Sequence, residues 1–151
     1  MTTYRAPLRD MQFVLQDLLN IEKHYQSLPA CEEVNKDLID AVLGEASKFS
    51  EEVVAPLNAV GDEEGCQMLD NGEVKTPAGF KEAYQQYVDA GWPSLDQPAA
   101  YGGQDLPMSI GLPIREMNGT ANWSWSMYSG LSQGAMETID EHGSDEQKAI
   151  F

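Results

Sequence analysis

Basic side chains are scarce in this sequence: its 151 residues include nine lysines and arginines against 25 acidic residues, which gives a formal net charge of −16. A chain this acidic is repelled by the phosphate backbone of nucleic acids and by anionic membrane surfaces. The composition therefore excludes nucleic acid as a partner. The chain has the length of one domain, and 42% of its residues are hydrophobic, enough to form a buried core.

Cysteine and histidine are rare as well, with two residues of each type. Cys31 and Cys66 are widely separated and form no Cys-x-x-Cys pair, and His24 and His142 do not complete an obvious zinc site with them. The start of the sequence also lacks the basic and then apolar run of a secretory signal. We therefore expect reduced thiols, no metal centre and a cytoplasmic protein.

Long hydrophobic runs are missing too. Residues 117–136 contain no charged side chain and have the length of a membrane-spanning helix. More than half of this segment consists of asparagine, threonine, serine, glutamine and glycine, a content that is poorly stable in lipid. We therefore expect no membrane span and interpret the segment as one that is buried inside protein.

Apolar residues recur at three- and four-residue steps along most of the chain, a spacing that predicts an all-α fold. We expect an up-and-down helical bundle of about five or six helices with one long loop rich in proline and glycine. Pro56 should bend or end the second helix, and Thr76 followed by Pro77 is typical of a helix start. The pattern also predicts a helix break at residues 119–122.

The long loop is predicted at residues 92–107, which contain three prolines and the adjacent Gly102 and Gly103. Loops of this length are often binding elements. A second loop, residues 61–75, is acidic and contains several glycines. Its carboxylates lack the alternating spacing of an EF-hand, so we expect a solvated loop and no calcium site.

The last residues of the sequence carry a clear local signal. Ser144 and Gln147 form a capping box, in which each side chain is expected to accept a hydrogen bond from the backbone N–H of the other residue. The helix that this box opens has only about two turns before Phe151, too few to be stable alone. We therefore expect this sequence to be a fragment of a longer protein.

The order and spacing of three stretches resemble the amino-terminal helical domain of the acyl-CoA dehydrogenase family. They are the helix, glycine stop and double-glycine loop of residues 84–106, the Ile-Arg-Glu-Met sequence of residues 114–117, and the glycine stop and polar helix start of residues 141–148. The first residues are similar to the extra amino-terminal segment of a longer bacterial branch, which includes enzymes similar to methylthiopropanoyl-CoA dehydrogenase. The resemblance thus divides the chain into a helical leader, residues 1–30, and a family-like domain, residues 31–151.

Two positions depart from the family pattern. The family usually has a glycine two positions after Gly103, where this chain has Asp105. Its acidic pair is replaced here by Arg115 and Glu116. Both changes are compatible with the fold and affect the details of the expected pocket.

The resemblance implies an FAD-dependent enzyme that oxidises an acyl-CoA thioester to the trans-2-enoyl-CoA. In the family a glutamate removes the α-proton, the β-hydrogen passes as hydride to FAD, and the electrons leave for an electron-transfer flavoprotein. Most of the FAD site and the base belong to a β-domain and a carboxy-terminal helical domain, which these 151 residues do not include. We therefore expect no catalytic or FAD-binding residue here, inactivity of this chain alone, and a homo-oligomer when the protein is full length.

The uncharged segment is suited to line the acyl tail of the substrate, because a pocket for an acyl chain needs a dry apolar wall. The candidate substrate-binding residues are Met127, Tyr128, Leu131 and Gly134, and secondarily Tyr101, Gly102 and Gly103 of the long loop. Ordinary core packing of the methionines and aromatic residues is the alternative for these positions. The alternative for the whole chain is a stand-alone acidic helical interaction module without catalysis.

Overall fold

The computed structural model describes residues 3–151, which form helices joined by loops. The fold is all-α, as predicted, apart from one small hairpin in which β1, Gln67–Met68, pairs antiparallel with β2, Val74–Lys75. The helices in chain order are α1 Leu8–Gln12, α2 Ile21–Tyr25, α3 Lys36–Phe49, α4 Leu57–Glu64, α5 Phe80–Asp89, α6 Met108–Ala121, α7 Trp123–His142 and α8 Asp145–Ile150. None of the helices in this described part of the chain is long and apolar enough to cross a membrane.

Two π-helical turns extend the regular helices. Residues Phe13–Leu18 continue α1, and Ser50–Val54 continue α3. The second turn carries the Ser50 hydroxyl into the interior, where it donates a hydrogen bond of 2.8 Å to Oδ1 of Asn118 in α6. This second helix ends before Pro56, as predicted, and regular α-helix resumes at Leu57 as α4.

The first core cluster lies between the leader, α3 and α6. Its buried side chains include Leu15 and Tyr25 of the leader, Ile39 and Leu43 of α3, and Ile110 of α6. The leader therefore shares one apolar core with the helices that follow it, and burial of these side chains stabilises both parts together.

The second core cluster surrounds Trp125 near the start of α7, whose side chain has no exposed surface. The indole N–H of Trp125 donates to the carbonyl oxygen of Phe80 at 3.2 Å, and its ring packs edge-on against Tyr87 of α5. Phe49 of α3 lies on another side of the ring, with centroids 5.9 Å apart. One aromatic side chain thus joins α3, α5 and α7.

The predicted start of the helix at Thr76 and Pro77 is wrong. Helix α5 begins at Phe80, after a turn in which Gly79 has a φ of 82°. A Cβ at Gly79 would lie only 2.7 Å from Cδ2 of Leu57. The chain therefore turns tightly against α4 before the helix can begin, a contact between residues far apart in the sequence.

Two further boundaries differ from the prediction. Residues 61–75 are not a loop throughout, because α4 continues to Glu64 and the hairpin of β1 and β2 follows. The break predicted at residues 119–122 is confined to Asn122. The Asn122 side chain accepts a hydrogen bond of 3.0 Å from the backbone N–H of Trp125, which caps α7 and allows helix to restart within one residue.

Polar contacts to Asp40 on α3 also hold the leader in place. Oδ1 of Asp40 accepts hydrogen bonds from the side-chain amides of Gln12 and Gln16 at 2.7 and 2.6 Å, and its Oδ2 lies 2.6 Å from Nζ of Lys36. Partial burial of the Asp40 carboxyl opposes its ionisation. The hydrogen bonds from Lys36, Gln16 and Gln12 outweigh this effect and hold the pKa of Asp40 below its usual 3.8.

We expect Trp125→Ala to lower the free energy of unfolding of the 151-residue chain by about 3–5 kcal/mol, because it leaves a large cavity and removes the indole hydrogen bond. Trp123→Ala is the matched control on the same helix: because Trp123 is 70% exposed, its loss should be below about 0.5 kcal/mol. Urea denaturation of both variants measures the difference, and equal losses would contradict the assigned burial.

The lowered pKa of Asp40 makes its contribution to stability dependent on pH. The ionised carboxylate stabilises the fold fully above its unfolded-state pKa of about 4, and the contribution is lost as the pH falls through the lower folded-state pKa. We therefore expect Asp40→Asn to destabilise the protein at pH 7 and the difference from wild type to shrink below about pH 4. Urea denaturation across this range measures it, and a difference independent of pH would refute the assignment.

Candidate functional site

One face of α7 is apolar and exposed over about three turns. Trp123, Met127 and Leu131 follow one another at four-residue steps and are 70, 43 and 70% exposed. With Gly130 and Gly134 they form a surface, here called the α7 stripe, on which no charged side chain lies. An uncovered apolar surface of this kind is typical of a ligand-binding or interdomain site.

The glycines of the α7 stripe are not explained by packing within the chain. A Cβ added at Gly130 or Gly134 would meet no heavy atom within 4 Å. Each glycine inside a helix costs roughly 0.5–1 kcal/mol relative to alanine. Their missing side chains leave open space beside Met127 and Leu131 that a ligand or another backbone can approach closely.

Tyr128 lies on the flank of α7 that faces α5. Its ring meets Phe80 edge-on, with centroids 6.4 Å apart, and its hydroxyl lies 3.9 Å from Sγ of Cys66. Tyr128 and Tyr84 line a groove of about 420 Å³. Partial burial and the neighbouring Cys66 thiol raise the pKa of the Tyr128 phenol above its usual 10.0, so the phenol is neutral at pH 7.

Both Cys66 and Cys31 are free thiols, as predicted.

The long loop, residues 92–107, is ordered by its own backbone. Its two limbs are joined by hydrogen bonds of 2.9 and 3.0 Å from the N–H groups of Gln104 and Leu106 to carbonyl oxygens on the opposite limb. Gly103 is required for this close approach, because a Cβ there would lie 1.9 Å from the carbonyl oxygen of Gln97. The loop is therefore a defined surface with a fixed shape.

The predicted loop residues lie beside another face of α7 than the α7 stripe. Tyr101 and Gly103 line a cavity of about 100 Å³ together with Met136 and Ile139. Tyr101 is exposed, and Gly102 has a φ of 87°, a conformation that favours glycine. Three of the candidate residues, Met127, Leu131 and Gly134, therefore lie together on the α7 stripe. The loop candidates lie elsewhere on the surface.

A buried ion pair that the sequence did not predict fixes the loop to α6 and α7. The Asp96 side chain is only 4% exposed; its Oδ2 pairs with Arg115 of α6, and its Oδ1 accepts a hydrogen bond of 2.8 Å from Nε2 of Gln133. Arg115 also lies 3.7 Å from Oε1 of Glu137 on α7. Gly111 makes room for the carboxylate, since a Cβ there would lie 2.4 Å from Asp96. The available sequence signal was Arg115 itself, the only lysine or arginine of the loop, α6 and α7.

Asp105 occupies a position that favours glycine. Its φ is 52°, in the left-handed region where a side chain strains the backbone. The Asp105 Oδ1 accepts a hydrogen bond of 2.8 Å from the backbone N–H of Ala99, which compensates for the strain. The loop therefore keeps its shape although this residue departs from the family pattern.

These observations define an all-α domain with an ordered loop and an uncovered apolar helix face. The family model described as "Acyl-CoA dehydrogenase, N-terminal domain" matches residues 37–151. The chain belongs to the acyl-CoA dehydrogenase family and contains its amino-terminal domain.

Curated relatives give the same result over nearly the whole chain. It is 39% identical to a 3-methylmercaptopropionyl-CoA dehydrogenase of Ruegeria pomeroyi over 149 residues, which are 99% of this chain and 25% of that protein. It is 31% identical to a butyryl-CoA dehydrogenase of Syntrophomonas wolfei and 28% identical to a broad-specificity linear acyl-CoA dehydrogenase of Mycobacterium tuberculosis, in each case over 98% of this chain and 24% of the relative. The chain spans about a quarter of the length of the curated relatives it matches.

Substitutions at Asp105 separate backbone strain from the hydrogen bond to Ala99. We expect Asp105→Ala to lower the free energy of unfolding by about 1–2 kcal/mol, because it keeps the left-handed strain and loses the hydrogen bond. In Asp105→Gly the relief of strain offsets the lost bond, so the change should stay within about 0.5 kcal/mol. Thermal or urea unfolding measures both variants. A glycine variant as unstable as the alanine variant would show that φ does not matter here.

Proposed function

We propose that this chain is the amino-terminal domain of an FAD-dependent acyl-CoA dehydrogenase, an oxidoreductase for the α,β-dehydrogenation of an acyl-CoA thioester. Its membership of the family and the fourfold greater length of the curated relatives support this proposal. In the whole enzyme the chain supplies part of the wall of the acyl pocket and a surface that packs against the other domains. Alone it does not turn over substrate.

The α7 stripe is the observation that carries the proposal. An acyl tail gains free energy by leaving water for an apolar surface without charges. Met127 and Leu131 offer that surface, and Gly134 leaves room beside them for the tail. Trp123, exposed at the start of the stripe, is suited to packing against another domain.

Tyr128 and the loop residues Tyr101, Gly102 and Gly103 are proposed as further substrate contacts. Tyr128 lies on another face of α7 than the α7 stripe, and the loop lies beside a further part of that helix. We therefore propose that these residues contact a part of the substrate other than the acyl tail. The buried pair of Asp96 and its partners holds the loop in place for this contact.

FAD supplies the hydride acceptor in the proposed reaction, but the residues described here do not fit a flavin site. The diphosphate of FAD needs clustered cations or N–H groups. Five of the nine basic side chains each lie within 4.0 Å of a carboxylate oxygen of this chain: Arg5, Lys36, Lys48, Arg115 and Lys148. We therefore assign the FAD site to the rest of the enzyme, and the family resemblance implies the same for the base.

The partners follow from the family resemblance and are part of the proposal. The substrate is an acyl-CoA thioester, and the names of the relatives make 3-methylmercaptopropionyl-CoA and butyryl-CoA the first compounds to test. We propose an electron-transfer flavoprotein as electron acceptor, a homo-oligomeric assembly and a cytoplasmic location.

Two glycines in helix interiors provide a matched test in the full-length protein. A Cβ added at Gly134 or at Gly44 of α3 meets nothing within 4 Å of this chain, so neither alanine variant should lose stability. We expect Gly134→Ala to lower kcat/KM for the acyl-CoA about tenfold, because the new methyl group occupies space meant for the acyl tail. Gly44→Ala should leave kcat/KM unchanged.

Steady-state kinetics with an artificial electron acceptor and each acyl-CoA measure this effect. Equal kcat/KM values for both variants and wild type would show that the α7 stripe does not line the pocket. A full-length product without bound flavin and without dehydrogenase activity would instead favour the interaction module.

A further inference from the structure

The leader exposes a second apolar surface, separate from the α7 stripe. Phe13, Val14, Leu18 and Leu19 are 56, 42, 67 and 56% exposed. These four residues are called the leader quartet below. They lie in and just after the first π-helical turn.

The π-helical turn itself assembles the leader quartet. The N–H of Leu19 donates to the carbonyl oxygen of Val14 at 2.9 Å, a five-residue step that aligns Val14 with Leu19 and Phe13 with Leu18. In a regular α-helix, residues five apart would point roughly 140° away from each other. The local departure from α-helix therefore concentrates four large apolar side chains on one side.

The opposite side of the leader is anchored, so the leader quartet cannot turn inward. Leu15 is buried in the first core cluster, and Gln12 and Gln16 bind the carboxylate of Asp40. Glu51 accepts a hydrogen bond of 2.9 Å from the backbone N–H of residue 6 and holds the start of the leader against the second π-helical turn.

The charge distribution of the chain favours a neutral segment as the binding partner of the leader quartet. Residues 1–26 contain three basic and three acidic side chains, so the whole net charge of −16 resides in residues 27–151. A second copy paired at this surface would bring its own acidic residues 27–151 close to those of the first, and this repulsion disfavours a second copy as the occupant of the leader quartet. A neutral apolar segment of the same polypeptide meets no such repulsion.

The length of the curated relatives indicates where such a segment comes from. The family model begins at residue 37 and leaves the leader unmatched, whereas the curated relatives match 98–99% of this chain, including the leader. Those relatives are about four times as long as the chain. The leader thus occurs together with several hundred further residues in one polypeptide, and a tethered segment binds at a high effective concentration.

We propose that the leader quartet is a docking surface for the part of the same polypeptide that follows residue 151, which packs an apolar segment against Phe13, Val14, Leu18 and Leu19. This inference rests on the proposed function only in requiring a longer chain. The contact fastens the amino-terminal end of the enzyme to a later domain.

The full-length protein tests this directly by crosslinking. With p-benzoylphenylalanine in place of Phe13, irradiation should give a crosslink to a peptide beyond residue 151 within one chain, with no doubling of mass on a denaturing gel. The same group in place of Met68, which is 74% exposed on the hairpin, is the control and should give little or none. A crosslinked species of doubled mass from position 13 would identify a second copy as the cover and overturn the proposal.

Thiol labelling provides a second, independent measurement. Leu18→Cys and Met68→Cys variants of the full-length protein are labelled with a maleimide, and the rate at each site is read by peptide mass spectrometry. We expect position 18 to react at least tenfold more slowly than position 68, independently of protein concentration. Equal rates, or protection that disappears on dilution, would overturn the docking surface.

Dehydrogenase activity of the same preparations separates the two proposals. An active, flavin-containing enzyme with a freely labelled position 18 would refute the docking surface and leave the proposed function intact. A protected position 18 in a protein without flavin or activity would refute the proposed function alone.

Discussion

The buried carboxylate of Asp96 is the contact on which the arrangement of the candidate site depends. It receives the guanidinium of Arg115 and the amide of Gln133, so one side chain ties the long loop to both α6 and α7. Removing one partner of a buried pair leaves the other charge without compensation, which costs more than the pair itself contributes. The loop therefore cannot shift without disturbing the helix that carries the α7 stripe. A site on a loop gains in this way the rigidity of the helices beneath it.

The two uncovered apolar surfaces described above lie in parts of the chain that carry no net charge. The α7 stripe lies in a segment without charged side chains, and the leader quartet lies in a segment whose charges cancel, while the rest of the chain is strongly acidic. Acidic surface remains hydrated and discourages association, whereas apolar surface without charge favours it. The two surfaces are made differently, one by a regular helix with two glycines and the other by a π-helical turn. This difference suits one to a small ligand or close backbone and the other to a protein segment.

Features set by neighbouring residues could be read from the sequence, and features set by distant contacts could not. The capping box of Ser144 and Gln147 forms as predicted, because both of its hydrogen bonds join residues three apart. The predicted start of α5 was wrong, because the true start depends on a contact of Gly79 with α4. Composition also could not separate the two tryptophans near the start of α7. Trp125 is fully buried and Trp123 is exposed, which only the packing of α7 against α5 decides. The ion pair of Asp96 was not predicted either, because its partners Arg115 and Gln133 lie 19 and 37 positions further along the chain.

The hydrogen bond between Ala99 and Asp105 links the evolutionary freedom of two positions. While position 105 carries aspartate, position 99 must keep a backbone N–H, so proline is excluded there although other residues are not. With glycine at position 105 this restriction disappears, because no carboxylate needs the donor. Proline at position 99 is therefore less destabilising when position 105 carries glycine than when it carries aspartate.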